Sequence, residues 1–336
     1  MSNYNIPISE DYNDFLKKSI FKLKKSKKQV KITLDYWDSI KENPLSPNMN
    51  ANVYNCGSWL KFRNYIDLDK NSLHKARFCK KDKICPACAA RRAAKQVQKV
   101  YKELYSNEDL LKGNWYYIVM PVVHNSSEEF GTVFKRVQTA LKKINQAIRN
   151  EERGKNSNNW FTNFDGIYYS IEETKTDNGW NVHANLLCRS KKPLQGLIRK
   201  HPKKNNGVFW NLDAVETLKQ IAEGSLNISI SPIKVSNKEE LLKNLQEVFK
   251  YSLKFQELSP DDLLIAYRGL YRKRLIGTMG TLRGLSTDIK FNDEEIEDEL
   301  FIETIYHYIK TYKLSSQKMG KTYKNGQTIY QAEDYE

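Results

Sequence analysis

The chain has 336 residues, enough for roughly two domains, and its hydrophobic content of 40% supports a buried core. The formal net charge of +15 favours a polyanionic partner, with nucleic acid ahead of an anionic membrane surface. Every apolar run falls short of the roughly eighteen residues of a membrane span, and no secretion signal is evident, so we expect a cytoplasmic protein with no membrane partner.

The first 50 residues are predicted to form a basic N-terminal arm. Lysine is frequent between residues 17 and 31, and the apolar residues among these lysines permit a short amphipathic helix. Such an arm would contact phosphates. A solvated basic leader is the alternative interpretation.

Residues 51–105 are predicted to form a small cysteine-rich zinc module ending in a basic helix. Cys85 and Cys88 are separated by two residues, with a proline after the first, which is typical of a knuckle that directs two thiolates at one ion. Cys79 and Cys56 would complete the four ligands of a tetrahedral Zn²⁺, and His74 could replace Cys56. The alternative is a group of reduced, buried cysteines.

Residues 106–260 are predicted to form one α+β domain. The segments predicted as strands, from apolar or alternating runs that end at turn residues, are 115–123, 166–174, 180–189 and 226–235. The segments predicted as helices are 129–151, 208–223 and about 237–254. This β-α-β-β-α-β-α order favours a mainly antiparallel sheet with packed helices, in the manner of a ferredoxin-like or RNA-recognition fold.

A hairpin turn is predicted at residues 177–179 (DNG), and with residues 178 and 179 at its centre Glu172 pairs with Asn185. Side chains alternate along strands, so Glu172, His183 and Asn185 share one face while Glu173 points the other way. A carboxylate, an imidazole and an amide oxygen form a candidate site for Mg²⁺ or Mn²⁺. A polar, half-solvated sheet face without metal is the alternative.

The helix that begins near residue 237 carries Glu247, Tyr251 and Lys254 at three-and-four spacing, which places them on one ridge. A phenol beside an ammonium group can attack phosphorus, because the cation stabilises phenolate and phosphate charge. The other interpretation is a half-exposed tyrosine with polar neighbours on a solvated helix face.

Residues 261–336 are predicted to form a C-terminal extension that is first basic and then acidic. Arginine, lysine and glycine are frequent between residues 267 and 284, and residues 292–304 are acidic. The final stretch has a composition that favours disorder.

Three sequence blocks, in this order, resemble the rolling-circle replication initiators of small bacterial plasmids, which belong to the HUH endonuclease superfamily. The blocks are 77–80 (RFCK) with 84–92 (ICPACAARR), 182–187 (VHANLL) and 247–254 (EVFKYSLK). The resemblance extends from about Cys56 to Gly284. The last block is the most specific, because it matches glutamate, tyrosine and lysine together.

The resemblance implies a metal-dependent, site-specific DNA endonuclease and strand transferase with an HUH fold. It would cleave one strand at a plasmid origin, form a 5′-phosphotyrosyl intermediate and leave a 3′ hydroxyl for a polymerase. Tyr251 would be the nucleophile, Glu247 the carboxylate that activates water to end a round, and Lys254 the stabiliser of phosphate or phenolate. Single-stranded DNA at the nick site, a host helicase and a polymerase would be the partners.

The resemblance also implies that His183 is a metal ligand, joined by Glu172. The second histidine of the family motif is Asn185 in this chain. An amide oxygen is a weaker ligand than imidazole for most transition metals, but Mg²⁺ and Mn²⁺ accept it.

Two other functions are compatible with the sequence. A single-tyrosine transposase or relaxase would use the same chemistry, but Glu247 favours an initiator because ending a cycle by hydrolysis needs a base. A zinc-stabilised DNA-binding protein without catalysis is favoured by Asn185 in place of the second histidine.

Overall fold

The computed structural model of the protein describes residues 10–65, 70–155, 157–199, 207–223, 228–235, 238–249, 258–283, 301–308, 314–322 and 330–333. The architecture is α+β, as predicted, and it divides into two compact units. One unit draws on residues 1–88 and 290–336, and the other on residues 89–289. Within these described ranges, no helix is long and apolar enough to cross a membrane.

The described helices are α1 (Glu10–Ser39), α2 (Pro47–Tyr54), α3 (Pro86–Tyr105), α4 (Glu108–Leu111), α5 (Phe130–Glu152), α6 (Leu212–Ile221), α7 (Lys238–Val248) and α8 (Pro260–Gly269). The described strands are β1 (Trp59–Tyr65), β2 (Lys70–Ala76), β3 (Asn114–Pro121), β4 (Gly166–Thr176), β5 (Gly179–Ser190), β6 (Ile198–Arg199), β7 (Phe209–Trp210), β8 (Ser229–Ile233), β9 (Ile276–Gly280), β10 (Phe301–Tyr308), β11 (Leu314–Thr322) and β12 (Tyr330–Glu333). A short 3-10 helix covers Trp160–Asn163.

The first unit contains a five-stranded antiparallel sheet in the order β12-β11-β10-β1-β2. Helix α1 buries Val30, Leu34 and Trp37, which recur at helical spacing on one face. The prediction of disorder for the final stretch is wrong over β11 and β12, since both strands extend the sheet from β10. Composition favoured disorder there because it carries no information about a partner strand far away in the sequence.

The second unit contains a seven-stranded antiparallel sheet in the order β6-β7-β8-β3-β5-β4-β9. Its chain order β3-α5-β4-β5-α6-β8-α7 agrees with the predicted order. The helix predicted over 208–223 starts later, because Phe209 and Trp210 form a short strand and Asn211 caps α6 through the backbone N–H of Ala214. The sequence did not predict β6, β7 or β9.

The two faces of this sheet carry different helices. On one face Phe130 of α5 packs edge-on against Trp180 of β5, with ring centroids 4.9 Å apart. On the other face α3 and α7 pack over the centre of the sheet. The members of that second core include Val97, Val100, Leu104, Leu241, Leu245, Val248, Phe249, Trp115, Tyr168 and Leu187. Side chains of β5 with odd numbers therefore lie beneath α7.

The hairpin between β4 and β5 has a different register from the predicted one. Glu172 lies opposite His183 rather than opposite Asn185. A two-residue turn centred on Asn178 and Gly179 would need positive φ at both positions, but only Gly179 has it, at 93°. The chain turns at residues 177–178 instead, which moves the pairing by two residues. Because side chains alternate with a period of two, this shift leaves every residue on its predicted face.

Candidate functional site

Four cysteines of the first unit form a compact cluster. The sulfur atoms of Cys56, Cys79, Cys85 and Cys88 all lie within 4.8 Å of one another. Cys88 Sγ is 3.6 Å from the sulfurs of both Cys56 and Cys79. Sulfurs bound about 2.3 Å from a tetrahedral zinc lie about 3.8 Å apart, so this cluster could bind a metal ion such as zinc.

Local backbone geometry brings the four sulfurs together. The chain turns sharply after two of them, since Gly57 has φ 73° and Lys80 has φ 57°. The backbone N–H of Cys79 donates to Cys56 Sγ at 3.4 Å. Cys85 immediately precedes α3 and Cys88 lies in its first turn, where the helix dipole favours thiolate. Cys56 therefore completes the cluster as predicted, while the side chain of His74 lies outside the described part of the chain.

Charge around the cluster is unevenly distributed. Hydrogen bonds from Cys56 and Cys79 lower the pKa of Cys85, while interactions with the neighbouring sulfurs raise the pKa of Cys79. Lys27 of α1 lies with its Nζ 4.0 Å from Cys85 Sγ and donates to the carbonyl oxygen of Val53. A cation next to a thiolate group offsets part of its negative charge.

We expect protein purified without added metal to contain about one zinc per chain by elemental analysis. Cys88→Ser should lose most of this zinc, because a three-thiolate site leaves one tetrahedral position without a sulfur. Cys188→Ala is the matched control, since Cys188 is also buried but lies in β5 of the second unit. A folded protein without zinc, whose four clustered thiols all react freely with a thiol reagent, would contradict this prediction.

A second group of polar residues lies on the face of the larger sheet that carries α7. Glu172 Oε2 is 3.4 Å from His183 Nε2, and Asn185 Nδ2 donates to the same carboxylate oxygen at 3.1 Å. The side chains of Glu172 and His183 are only 10% and 16% exposed. The three residues predicted to share a face are thus in contact, while Glu173 is fully buried in the opposite direction. We call Glu172, His183 and Asn185 the sheet-face site.

The sequence did not predict that Tyr117 belongs to this group. Tyr117 lies on β3, and its hydroxyl donates to Asn185 Oδ1 at 2.9 Å. Burial, the charge of Glu247 and the charge of Glu172 all raise the pKa of Tyr117, so its phenol stays a neutral donor at neutral pH. Glu247 lies in the last turn of α7, next to Val248, whose carbonyl oxygen accepts the hydrogen bond from Ser170. Tyr117 stands in an apolar run, where the sequence pattern indicated only a core position.

The connection between α7 and α8 is tied to β4 at both ends. At the end of α7, Ser170 donates a hydrogen bond from its hydroxyl to the carbonyl oxygen of Val248. At the start of α8, Asp262 accepts a hydrogen bond from Lys175. Ser170 shares the sheet face of Glu172, whereas Lys175 lies beside Trp180 on the face that carries α5.

The predicted nucleophile belongs to this connection. Tyr251 and Lys254 lie outside the described residues, so their ridge with Glu247 stays a prediction. The part of the helix that is described agrees with its predicted buried face, since Leu241 and Leu245 are fully buried.

Comparisons with known proteins do not extend the resemblance seen in the sequence. No family model matches the chain, and no curated protein or solved structure matches it either.

Proposed function

We propose that the protein is a replication initiator of the HUH endonuclease type, which nicks one strand of plasmid DNA through Tyr251. The observation that carries this proposal is the hydrogen bond from Ser170 to the carbonyl oxygen of Val248, which fixes the end of α7 on the same strand and the same sheet face as Glu172. Tyr251 follows Val248 by three residues in the sequence, so this anchor next to the sheet-face site immediately precedes the predicted nucleophile.

The strand order supports the proposal at the level of fold. The four central strands follow β-α-β-β-α-β order along the chain and lie in the spatial order β8-β3-β5-β4. This arrangement has the fourth strand beside the first and the third beside the second, as in a ferredoxin-like sheet. Such a fold hosts many functions, so the argument for nicking depends on the site.

The sheet-face site has donors that fit a hard divalent ion. Two ligands of one octahedral ion at about 2.1 Å lie about 3 Å apart, close to the 3.4 Å between Glu172 Oε2 and His183 Nε2. The amide of Asn185 points its nitrogen at Glu172, so a ligand role for its oxygen requires the amide to rotate by about 180°. Mg²⁺ or Mn²⁺ bound here would polarise the scissile phosphate.

The remaining chemistry belongs to side chains of the protein. The oxygen of Tyr251 would form a bond to phosphorus as the phenol proton passes to water. The bond from phosphorus to the 3′ oxygen would break, and that oxygen would take up a proton from water to leave as a 3′ hydroxyl. Lys254 stabilises the charge that develops on phenolate and phosphate. Glu247 accepts a proton from water when the phosphotyrosyl bond is hydrolysed at the end of a round.

Covalent trapping tests the proposal. End-labelled single-stranded oligonucleotides that tile the DNA around the coding sequence are incubated with the protein and Mg²⁺ or Mn²⁺. We expect one of them to give a protein–DNA adduct that survives a denaturing gel and disappears after protease treatment. A protein that binds these strands yet forms no adduct with either metal would contradict the nicking function.

A non-catalytic, zinc-stabilised DNA-binding protein is the second candidate. The observation that favours it is the hydrogen bond from Tyr117 to Asn185, which occupies the amide oxygen where the family motif has a histidine. In that case divalent metal would leave DNA binding unchanged, and the cysteine cluster would be the site that holds an ion.

A further inference from the structure

The turn between α8 and β9 presents an exposed ring next to three cations. Tyr271, Arg272, Lys273 and Arg274 are consecutive and all exposed, and we call residues 271–274 the basic turn. Tyr271 is 60% exposed, and the guanidinium of Arg272 lies 5.2 Å from the centroid of its ring. No other described segment between α5 and β9 places an exposed aromatic ring directly beside three consecutive cations.

The backbone of the basic turn is held in a conformation that does not favour arginine. Arg272 has φ 55°, in the left-handed region where helices commonly end with glycine. Backbone hydrogen bonds hold this turn, from Tyr271 to Arg268 at 3.2 Å and from Lys273 to Leu270 at 3.0 Å. Local folding alone would favour glycine at position 272. The turn therefore fixes the backbone of Arg272 while its side chain stays exposed.

The basic turn lies next to the sheet-face site. Strand β9 pairs with β4, with Ser170 opposite Ile276, and the N–H of Ile171 donates to the carbonyl oxygen of Leu275 at 2.8 Å. Arg274 precedes Leu275 and Glu172 follows Ile171, so the basic turn ends where β4 reaches the sheet-face site.

We propose that the basic turn binds single-stranded DNA and holds the strand beside Glu172 and His183. The inference rests on the proposed function and names the surface that would deliver the substrate. Three cations match the repeating phosphates of the strand, and an exposed tyrosine can stack on any unpaired base. A duplex offers the same phosphates but keeps its base faces stacked inside, so it gives the ring of Tyr271 no partner.

Binding is measured with the full chain by fluorescence anisotropy, using labelled oligo-dT of about 20 nucleotides in EDTA so that no cleavage occurs. Replacing Arg272, Lys273 and Arg274 together by alanine should weaken binding at least about tenfold and reduce the salt slope by about 2. Tyr271→Ala should weaken binding about tenfold, whereas Tyr271→Phe, which keeps the ring, should bind as the wild type does.

Two controls separate the basic turn from overall charge and from stability. Alanine at Lys135, Lys142 and Arg149 removes the same charge from exposed positions of α5, which covers the sheet face opposite to the sheet-face site, and should change affinity less than about threefold. Arg272→Gly should keep or raise the melting temperature while it weakens binding, because glycine suits the left-handed conformation.

Three results would overturn the inference. The first is an equal loss of oligo-dT affinity in the triple-alanine variants of the basic turn and of α5. The others are an affinity for duplex DNA as high as that for single-stranded DNA, and a higher affinity for oligo-rU than for oligo-dT. Failure of the proposed function gives a different pattern. If the protein binds oligo-dT through the basic turn but forms no covalent adduct, the proposed nicking function is wrong and the proposed binding surface is supported. If the triple variant of the basic turn binds DNA and forms adducts as the wild type does, the nicking function is supported and the binding surface is wrong.

Discussion

Tyr251→Phe is expected to bind single-stranded DNA as the wild type does and to form no covalent adduct with it. The change removes only the hydroxyl that attacks phosphorus, so adduct formation should fall by at least about a thousandfold. A tyrosine has a reference pKa of about 10 and must lose its proton as it attacks, which is the step that Lys254 would assist under the proposed function. Adduct formation on a denaturing gel and affinity by anisotropy are measured on the same protein.

Tyr267→Phe is the matched control for this experiment. Tyr267 lies on α8, the helix that follows the same connection. Its burial, and to a smaller extent the nearby Tyr271, raise its pKa, which makes it a poor nucleophile. This variant should form the adduct at the wild-type rate. If Tyr251→Phe still forms an adduct and Tyr267→Phe does not, the nucleophile has been assigned to the wrong tyrosine.

Glu172→Gln is expected to lower metal-dependent cleavage by at least about a hundredfold, which corresponds to about 2.7 kcal/mol of transition-state stabilisation. The amide keeps the size of the side chain but removes the charge that would hold a divalent ion beside His183. Cleavage rate is measured against Mn²⁺ concentration. The loss should be only partly recovered at high Mn²⁺, because a weaker ligand set still binds some metal.

Glu173→Gln provides a control on the adjacent residue of the same strand. Glu173 is fully buried on the opposite face of the sheet from His183, so the same chemical change there should leave most of the cleavage in place. Melting temperatures of both variants show whether the fold persists. A dead Glu173→Gln variant that is well folded, beside an active Glu172→Gln variant, would show that the wrong face had been assigned to the metal.

Several features of the candidate site follow from local sequence patterns. Apolar runs that end at turn residues predicted β3, β4 and β5, and the three-to-four spacing of apolar residues predicted α5 and α7. The shared face of Glu172 and His183 was predictable even though the pairing was misjudged by two residues. A shift of two residues does not change which face a side chain occupies. The predicted face of each residue is therefore correct although the predicted pairing is wrong.

The cysteine cluster was also predictable only in part from local sequence patterns. Cys85 and Cys88 are close in the sequence, and their spacing alone indicates a shared ion. Cys56 is far from them in the sequence. It joins the cluster because the backbone turns at Gly57 and Lys80, and composition alone does not predict those turns. The sequence therefore indicated the ligand set, and the folded chain supplied the sulfur distances.

The sequence by itself determined the central elements of the second unit, the facing of the polar residues on β4 and β5, and the cysteine spacing, because these depend on neighbours within a few residues. Only the tertiary structure decided that Tyr117 bonds to Asn185, that β10–β12 join β1, and that the basic turn lies beside Glu172. Each of these contacts joins segments far apart along the chain. Which distant strands pair is decided by the surface that the whole fold buries together, and no local pattern carries that information.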